Sequence, residues 1–184
     1  NAHRVHYLIV LARTEPPAAS SAAWTSTPRL AASAAAHQGP VRAIAYGPDG
    51  AWLATGGQDS VLRLAPADDL ATVVSTASES GWVLGLAWSP EGTALATATS
   101  DGTVAVQPLA APAGGGAGPA VAASSVVIAA HPGTTAEAVA WSPAGDTLAS
   151  AGGDGQVRLW RPDGTPIRNL AGVSPEGDQG VGEA

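Results

Sequence analysis

Alternation of small and large residues is the first pattern the chain shows. In Val41-Arg42-Ala43-Ile44-Ala45-Tyr46, Ala43 and Ala45 fall on one side of an extended chain and Ile44 and Tyr46 on the other. Gly85 and Ala87 alternate with Leu86 and Trp88 in the same way, and Ala138 and Ala140 with Val139 and Trp141. Each run predicts a strand with one shallow face and one bulky face, which suits sheets stacked so that the bulk of one fits the hollow of the next. Each strand ends in an aromatic-small-Pro-variable-Gly segment: Tyr46 to Gly50, Trp88 to Gly92 and Trp141 to Gly145. Proline fixes φ and glycine permits positive φ, so each segment predicts a tight turn.

The similarity continues beyond the turn. Leu53-Ala54-Thr55, Leu95-Ala96-Thr97 and Leu148-Ala149-Ser150 predict second strands, and Asp59, Asp101 and Asp154 each follow the turn glycine by nine residues. Apolar runs then predict third strands: Val61 to Leu64, Val104 to Val106 and Val157 to Trp160. The first two prolines are 42 residues apart and the next two 53 (Pro48, Pro90, Pro143). The surplus fits a lengthened hairpin loop in the Pro/Ala/Gly-rich segment around Pro112 to Ala120. Repeats of this length holding several short strands are what a β-propeller blade looks like in sequence.

These residues resemble the WD40 repeat family, whose pattern places a His before the first strand, S-P-D-G after it, L-A-S-G in the second, Asp in the next turn and V-R-L-W in the third. The third copy is the nearest, through Trp160; Arg161 replaces the following Asp, and His131 lies one residue out of register. The first copy has His37 but Ala65 in place of Trp, and the second has Glu79 and Gln107 at the His and Trp positions. The resemblance implies an all-β, WD40-like β-propeller fold with about three clear four-stranded blades plus a partial one, part of a larger or shared ring. Repeats are expected over 24–172, with cores at about 37–65, 79–107 and 131–160. Residues 1–23 are expected to hold an N-terminal strand (Arg4 to Arg13) and linker from a degenerate blade, and 173–184 a flexible tail. Outer strands are expected at Trp24 to Ala36 and at Arg161 to Leu170, turning at Pro162-Asp163-Gly164.

Composition narrows the function classes. All eight basic residues are Arg, and the net charge of −7 supplies no basic face for a phosphate backbone, so no nucleic-acid partner is expected. Without cysteine there is no disulfide framework, thiolate nucleophile or Cys-held metal. No run approaches about 18 continuous apolar residues, so no membrane insertion is expected. The first residue is Asn, which fits a processed chain or a piece of something larger. The use of Ala, Gly, Pro and Arg, with no Lys or Phe, points to a high-GC organism.

Candidate chemistry is sparse. Gly152-Gly153-Asp154-Gly155 lacks the final Asp of a calcium-binding repeat, and its counterparts keep the Asp while losing glycines, which favours a turn. Gly114 to Gly118 cannot be a Walker loop without Lys, and His3 and His6 would point to opposite faces of a strand. The resemblance implies a bracing network of His37, Thr55 and Asp59 in the first blade, Thr97 and Asp101 in the second, and Ser150, Asp154, Trp160 and His131 in the third. Such a Ser-His-Asp set looks like a hydrolase triad, but its repetition argues for scaffolding, and no catalytic residue, metal or cofactor is expected. Partner contacts are expected where strand starts and second turns gather: Arg42 and Gln58, Trp82, Leu84 and Ser100, and Glu137, with Pro40, Thr135 and Gly153 beside them. The implied function is a noncatalytic, cytoplasmic scaffold binding other protein subunits. The alternative is the sensor segment of a larger signalling kinase or NTPase whose catalysis lies elsewhere.

Overall fold

A computed structural model describes residues 6–10, 32–110, 118–122 and 124–170. Its described residues form fifteen strands and no helix. Strand β1 (His6–Val10) pairs antiparallel with β2 (Ala32–His37). Then come three meanders, each antiparallel throughout. The first blade is β3 (Val41–Tyr46), β4 (Trp52–Gly57), β5 (Val61–Pro66) and β6 (Ser75–Ser78). The second is β7 (Val83–Trp88), β8 (Ala94–Thr99) and β9 (Thr103–Ala110), whose outer edge takes two short strands, β10 (Ala120–Val121) and β11 (Val126–Ala129). The third is β12 (Ala136–Trp141), β13 (Leu148–Gly152), β14 (Val157–Trp160) and β15 (Pro166–Leu170).

The first three strands of every blade fall where the alternation places them. The outer strands differ in detail. Arg161 to Thr165 is spent on the turn, closed by Arg161 N–H to Thr165 C=O at 2.8 Å and Gly164 N–H to Arg161 C=O at 2.9 Å, so β15 starts at Pro166. In the second blade the outer strand is split between β10 and β11. Residues 24–31, most of the 112–120 loop and the 173–184 tail lie outside the described residues.

Turn chemistry follows the glycine expectation. Gly50, Gly92 and Gly145 have φ of +72°, +69° and +74°, and each donates its N–H to the carbonyl three residues back. The second turns repeat this after the aspartates, with φ of +86° at Gly102 and +71° at Gly155. Their counterpart Ser60 holds φ of +59° without being glycine, at a cost of roughly 1–2 kcal/mol.

The blades stack by one repeated rule. The Trp88 indole N–H donates to the Ala45 carbonyl of the preceding blade at 3.0 Å, and Trp141 does the same to Ala87 at 3.2 Å. The hollows opposite are obligatory: a Cβ on Gly56 would overlap the Val83 side chain, and one on Gly85 would lie 3.1 Å from the Ala138 Cα. Each seam therefore owns a core. Ala54, Leu62, Leu64 and Leu95 fill the first, with Leu86 and Trp88 against them. Ala96, Val104, Val106, Ile128, Val139 and Leu148 fill much of the second, with Trp141 and Trp160 alongside. Buried leucines here contribute roughly 1.5–3 kcal/mol each.

The two ends of the stack are left unlike. On the first blade the bulky face stays open, with Ile44 and Tyr46 exposed at 47% and 49%. On the third the shallow face is open, with Ala138 and Ala140 exposed. Among the described residues the blades thus form an arc rather than a closed ring.

Candidate functional site

Two kinds of site grow from the repeats: a buried polar network inside each blade and an exposed set at one end of the sheets. The first network joins the end of β2 to the turn between β4 and β5. His37 Nδ1 lies 2.8 Å from Asp59 Oδ1, and Nε2 lies 2.9 Å from Thr55 Oγ1. In the third blade His131 makes the same pair, to Asp154 and Ser150, both at 2.9 Å, and the Trp160 indole N–H donates to Ser150 Oγ at 3.0 Å. The one-residue offset of His131 is absorbed by a turn at Gly133, φ +78°, where Thr134 N–H donates to the His131 carbonyl.

The carboxylate and hydroxyl partners suit a tautomer whose Nδ1–H donates to the carboxylate and whose Nε2 accepts from the hydroxyl, while Arg63 and Arg158 Nη1 also crowd the Nδ1 atoms of His37 and His131. The same two arginines brace the carboxylates. Each donates to the second carboxylate oxygen, at 2.9 Å for Asp59 and 2.7 Å for Asp154. Burial depresses the His37 pKa below 6.5, outweighing Asp59, which favours the charged form. Burial works against ionising Asp154, yet hydrogen bonds from Arg158, the Gln156 N–H and His131 hold it down at about 2. Ser150 is 1% exposed, and its hydroxyl is bonded to His131 and to the Trp160 indole N–H rather than open at a surface.

A pH dependence follows. Because the folded-state pKa of His37 lies below its unfolded value of 6.5, the unfolded chain takes up the proton first. Stability from this group is complete above 6.5 and declines as pH falls through it. The urea midpoint should drop between about pH 7.5 and pH 5.5, and less so in His37→Gln. Equal drops in the two proteins would remove His37 as the cause.

The second blade replaces this network. Glu79 stands in the histidine's place, accepting from Thr97 Oγ1 at 3.3 Å and from the Gln107 amide. Burial pushes the Glu79 carboxyl up, against the pull of those two donors. Asp101 turns instead to the hydroxyls of Thr99, at 2.5 Å, and Thr103, at 2.9 Å. Burial opposes ionisation of Asp101 as well, but the hydroxyls of Thr99, Ser80 and Thr103 bring it to about 2. Thr99 is informative. Its register counterparts are Gly57 and Gly152, and a Cβ on either would meet the histidine ring. Glycine accompanies histidine and threonine accompanies glutamate. That correlation was readable in the sequence, whereas the part played by Arg63 and Arg158 was not.

The exposed set is held by a repeated backbone joint. Gln58 N–H donates to Pro40 C=O, Ser100 to Trp82 and Gly153 to Thr135, at 3.0, 2.9 and 3.0 Å. All nine expected partner-side positions therefore gather at the same end of the blades. Arg42, Trp82 and Glu137 are exposed there, while Gln58, Leu84 and Ser100 are half-buried. Trp82 is 48% exposed, and its N–H is fixed by Ser100 Oγ at 3.0 Å. With its oxygen turned to Arg42, the Gln58 amide accepts from Nε at 3.1 Å and Nη2 at 2.5 Å. Glu137 accepts from Thr135 Oγ1 at 2.5 Å. Among the described residues no group of three or more acidic or histidine side chains could hold a metal ion, and no helix is long and apolar enough to cross a membrane.

Comparisons with known proteins fit this geometry. The family model described as "WD domain, G-beta repeat" matches residues 29–64, 71–106 and 124–161. Among solved structures, U3-55K matches with a TM-score of 0.61 at 14% identity, over 74% of this chain and 40% of that one. The RRP9 WD40 repeats match with 0.61 at 15% identity, over 74% and 40%. Chaetomium thermophilum Sqt1, bound to the N-terminus of the ribosomal protein L10, matches with 0.58 at 26% identity, over 72% of this chain and 34% of that one. The chain thus spans well under half the length of these structures. Curated protein sequences give no match.

Proposed function

Since this chain belongs to the WD40 repeat family, we propose that it is a noncatalytic protein-interaction scaffold, a propeller segment that holds a protein partner at the exposed turn end of its blades. One observation carries the reading. Trp82, half exposed, is fastened by its backbone N–H and C=O to the turn beneath it, so the backbone that carries the ring needs no ordering when a partner binds. Arg42 on the preceding blade and Glu137 on the following one add opposite charges on either side. Trp and Arg are the types enriched among residues that dominate binding energy. A comparable occupant to the one named for Sqt1, a protein segment, suits this row of three blades.

The two open edges support a longer ring. Tyr46 stands where Trp88 and Trp141 each reach a preceding blade, and the Ala140 carbonyl stands where Ala45 and Ala87 each receive an indole. Further blades docked by the same rule would cover Ile44 and Tyr46 on one side and Ala138 and Ala140 on the other. The proposed location is the cytoplasm.

The test is a binding comparison with proteins that co-purify with the chain. Trp82→Ala and Arg42→Ala should each weaken a partner at least about tenfold, with melting temperature unchanged. If both leave every partner's affinity as it was, the proposed face is wrong.

A further inference from the structure

The second blade differs from its neighbours at two positions that touch each other. Glu79 stands where the first and third blades have His37 and His131, and Gln107 stands in register with Trp160. The exchange alters which groups can donate. A neutral imidazole carries one donor and one acceptor, whereas a carboxylate only accepts; the acid form of a carboxyl again does both.

The Gln107 amide shows which form fits. Gln107 is buried, and its nitrogen donates to Glu79 while its Oε1 has no hydrogen-bond partner in the protein. The two ends of an amide share one carbon, so the unpaired oxygen is held beside the same carboxyl that the nitrogen reaches. Turning the amide over does not help an ionised Glu79, because two acceptors would then face each other. A protonated Glu79 completes the pair: the amide N–H donates to one carboxyl oxygen, and the acid O–H donates back to Gln107 Oε1. The terminal torsions of Glu and Gln are broad, so this pairing needs no strained rotamer. The other groups facing Glu79 are the Thr97 hydroxyl on β8, which donates to it, and Asp101 in the turn between β8 and β9. Burial and the negative charge of Asp101 both favour the neutral acid, against the pull of Gln107 and Thr97.

Glu79 also sits at a junction. Its N–H donates to the Ser60 carbonyl of the first blade at 2.8 Å, and Ser80 and Gly81 join it to Trp82. Trp82 N–H donates to Ser100 Oγ, Ser100 N–H donates to the Trp82 carbonyl, and Ser80 Oγ lies 3.0 Å from Thr103 Oγ1. Ionising Glu79 would set its charge and that of Asp101 together at the base of this loop and leave the Gln107 acceptor bare.

We propose that Glu79 is a proton-binding site, its acid O–H donating to Gln107 Oε1, and that loss of this proton loosens the loop that presents Trp82. The sign is opposite to that of His37. The folded chain holds the Glu79 proton more tightly than the unfolded one, so stability from this group is complete below 4.5 and is lost as pH rises through the folded-state value. A link to partner binding rests on the reading of the Trp82 face given above, whereas the proton site does not.

The isotopically labelled full chain, with no partner present, is titrated from about pH 3.5 to 8.5 while NMR follows the Glu79 carboxyl carbon. Its midpoint should lie above 4.5. Hydrogen-exchange protection of the Trp82 and Ser100 amides, corrected for the intrinsic effect of pH, should fall at least about tenfold as pH rises through that midpoint. Glu79→Gln keeps a donor and an acceptor at every pH, so its protection should stay level. A Glu79 midpoint at or below 4.5, a raised midpoint through which both amides keep their protection, or the same loss in folded Glu79→Gln would overturn the proposal. If that variant does not fold, the wild-type midpoint and protection decide alone. None of these readouts involves a partner, so failure here and failure of the partner face are separate results.

Discussion

Adding one methyl group at Gly102 is expected to destabilise the chain by about 3 kcal/mol or more. Two costs add in Gly102→Ala. The residue holds φ of +86°, which costs an L-residue roughly 1–2 kcal/mol. Its Cβ would also overlap the His131 carbonyl oxygen and come within 2.5 Å of the Thr134 carbonyl oxygen, where overpacking costs roughly 1–3 kcal/mol. The contacted atoms are backbone and cannot rotate away. Retreat of the loop is resisted as well, because His131 N–H donates to the Gly102 carbonyl at 2.8 Å. Gly155→Ala is the control, since it holds φ of +71° and an added Cβ there meets nothing within 4 Å. That variant should lose only the backbone cost, roughly 1–2 kcal/mol. Urea denaturation of both separates the terms: equal losses would mean that the seam between the second and third blades contributes nothing at Gly102.

The contrast between these two glycines shows what the sequence can and cannot carry. Both follow the repeated Asp, and both are legible as turn residues needing positive φ. That Gly102 also abuts the approach loop of the next blade is a matter of stacking, which one repeat cannot reveal about its neighbour. The alternation in β3, β7 and β12 did forecast the stacking rule, because a run of Ala or Gly opposite bulky residues has few other uses. It could not say that Trp88 and Trp141 would spend their indole N–H groups on the carbonyls of Ala45 and Ala87. The second blade was legible only as a departure. Glu79 and Gln107 break the pattern visibly, but which end of the Gln107 amide is satisfied needs coordinates. His131 went the other way: an offset of one residue in sequence became no offset in space, because a glycine turn absorbs it.

His131→Ala should cost about 3–4 kcal/mol and should open the third blade first. The ring is fully buried, and both of its nitrogens are used, so truncation removes two hydrogen bonds and leaves a hole beside Gly152. Losing a large buried side chain costs roughly 2–5 kcal/mol, part of it for the cavity, and the Ser150 O–H left without its His131 acceptor adds to it. Asp154 keeps Arg158 and the Gln156 N–H, so it is less affected than Ser150. Because Trp160 donates to that same Ser150, the loss should appear in near-UV circular dichroism as well as in the urea midpoint. Hydrogen exchange should locate it: amides of β13 and β14 lose protection before those of β4 and β5, which rest on the independent His37 network. A histidine serving only as surface decoration would cost within about 0.5 kcal/mol. A loss that small would mean that the turn is held by Asp154 and Arg158 alone, and a loss of protection spread evenly over all three blades would mean that the networks brace the arc as one unit.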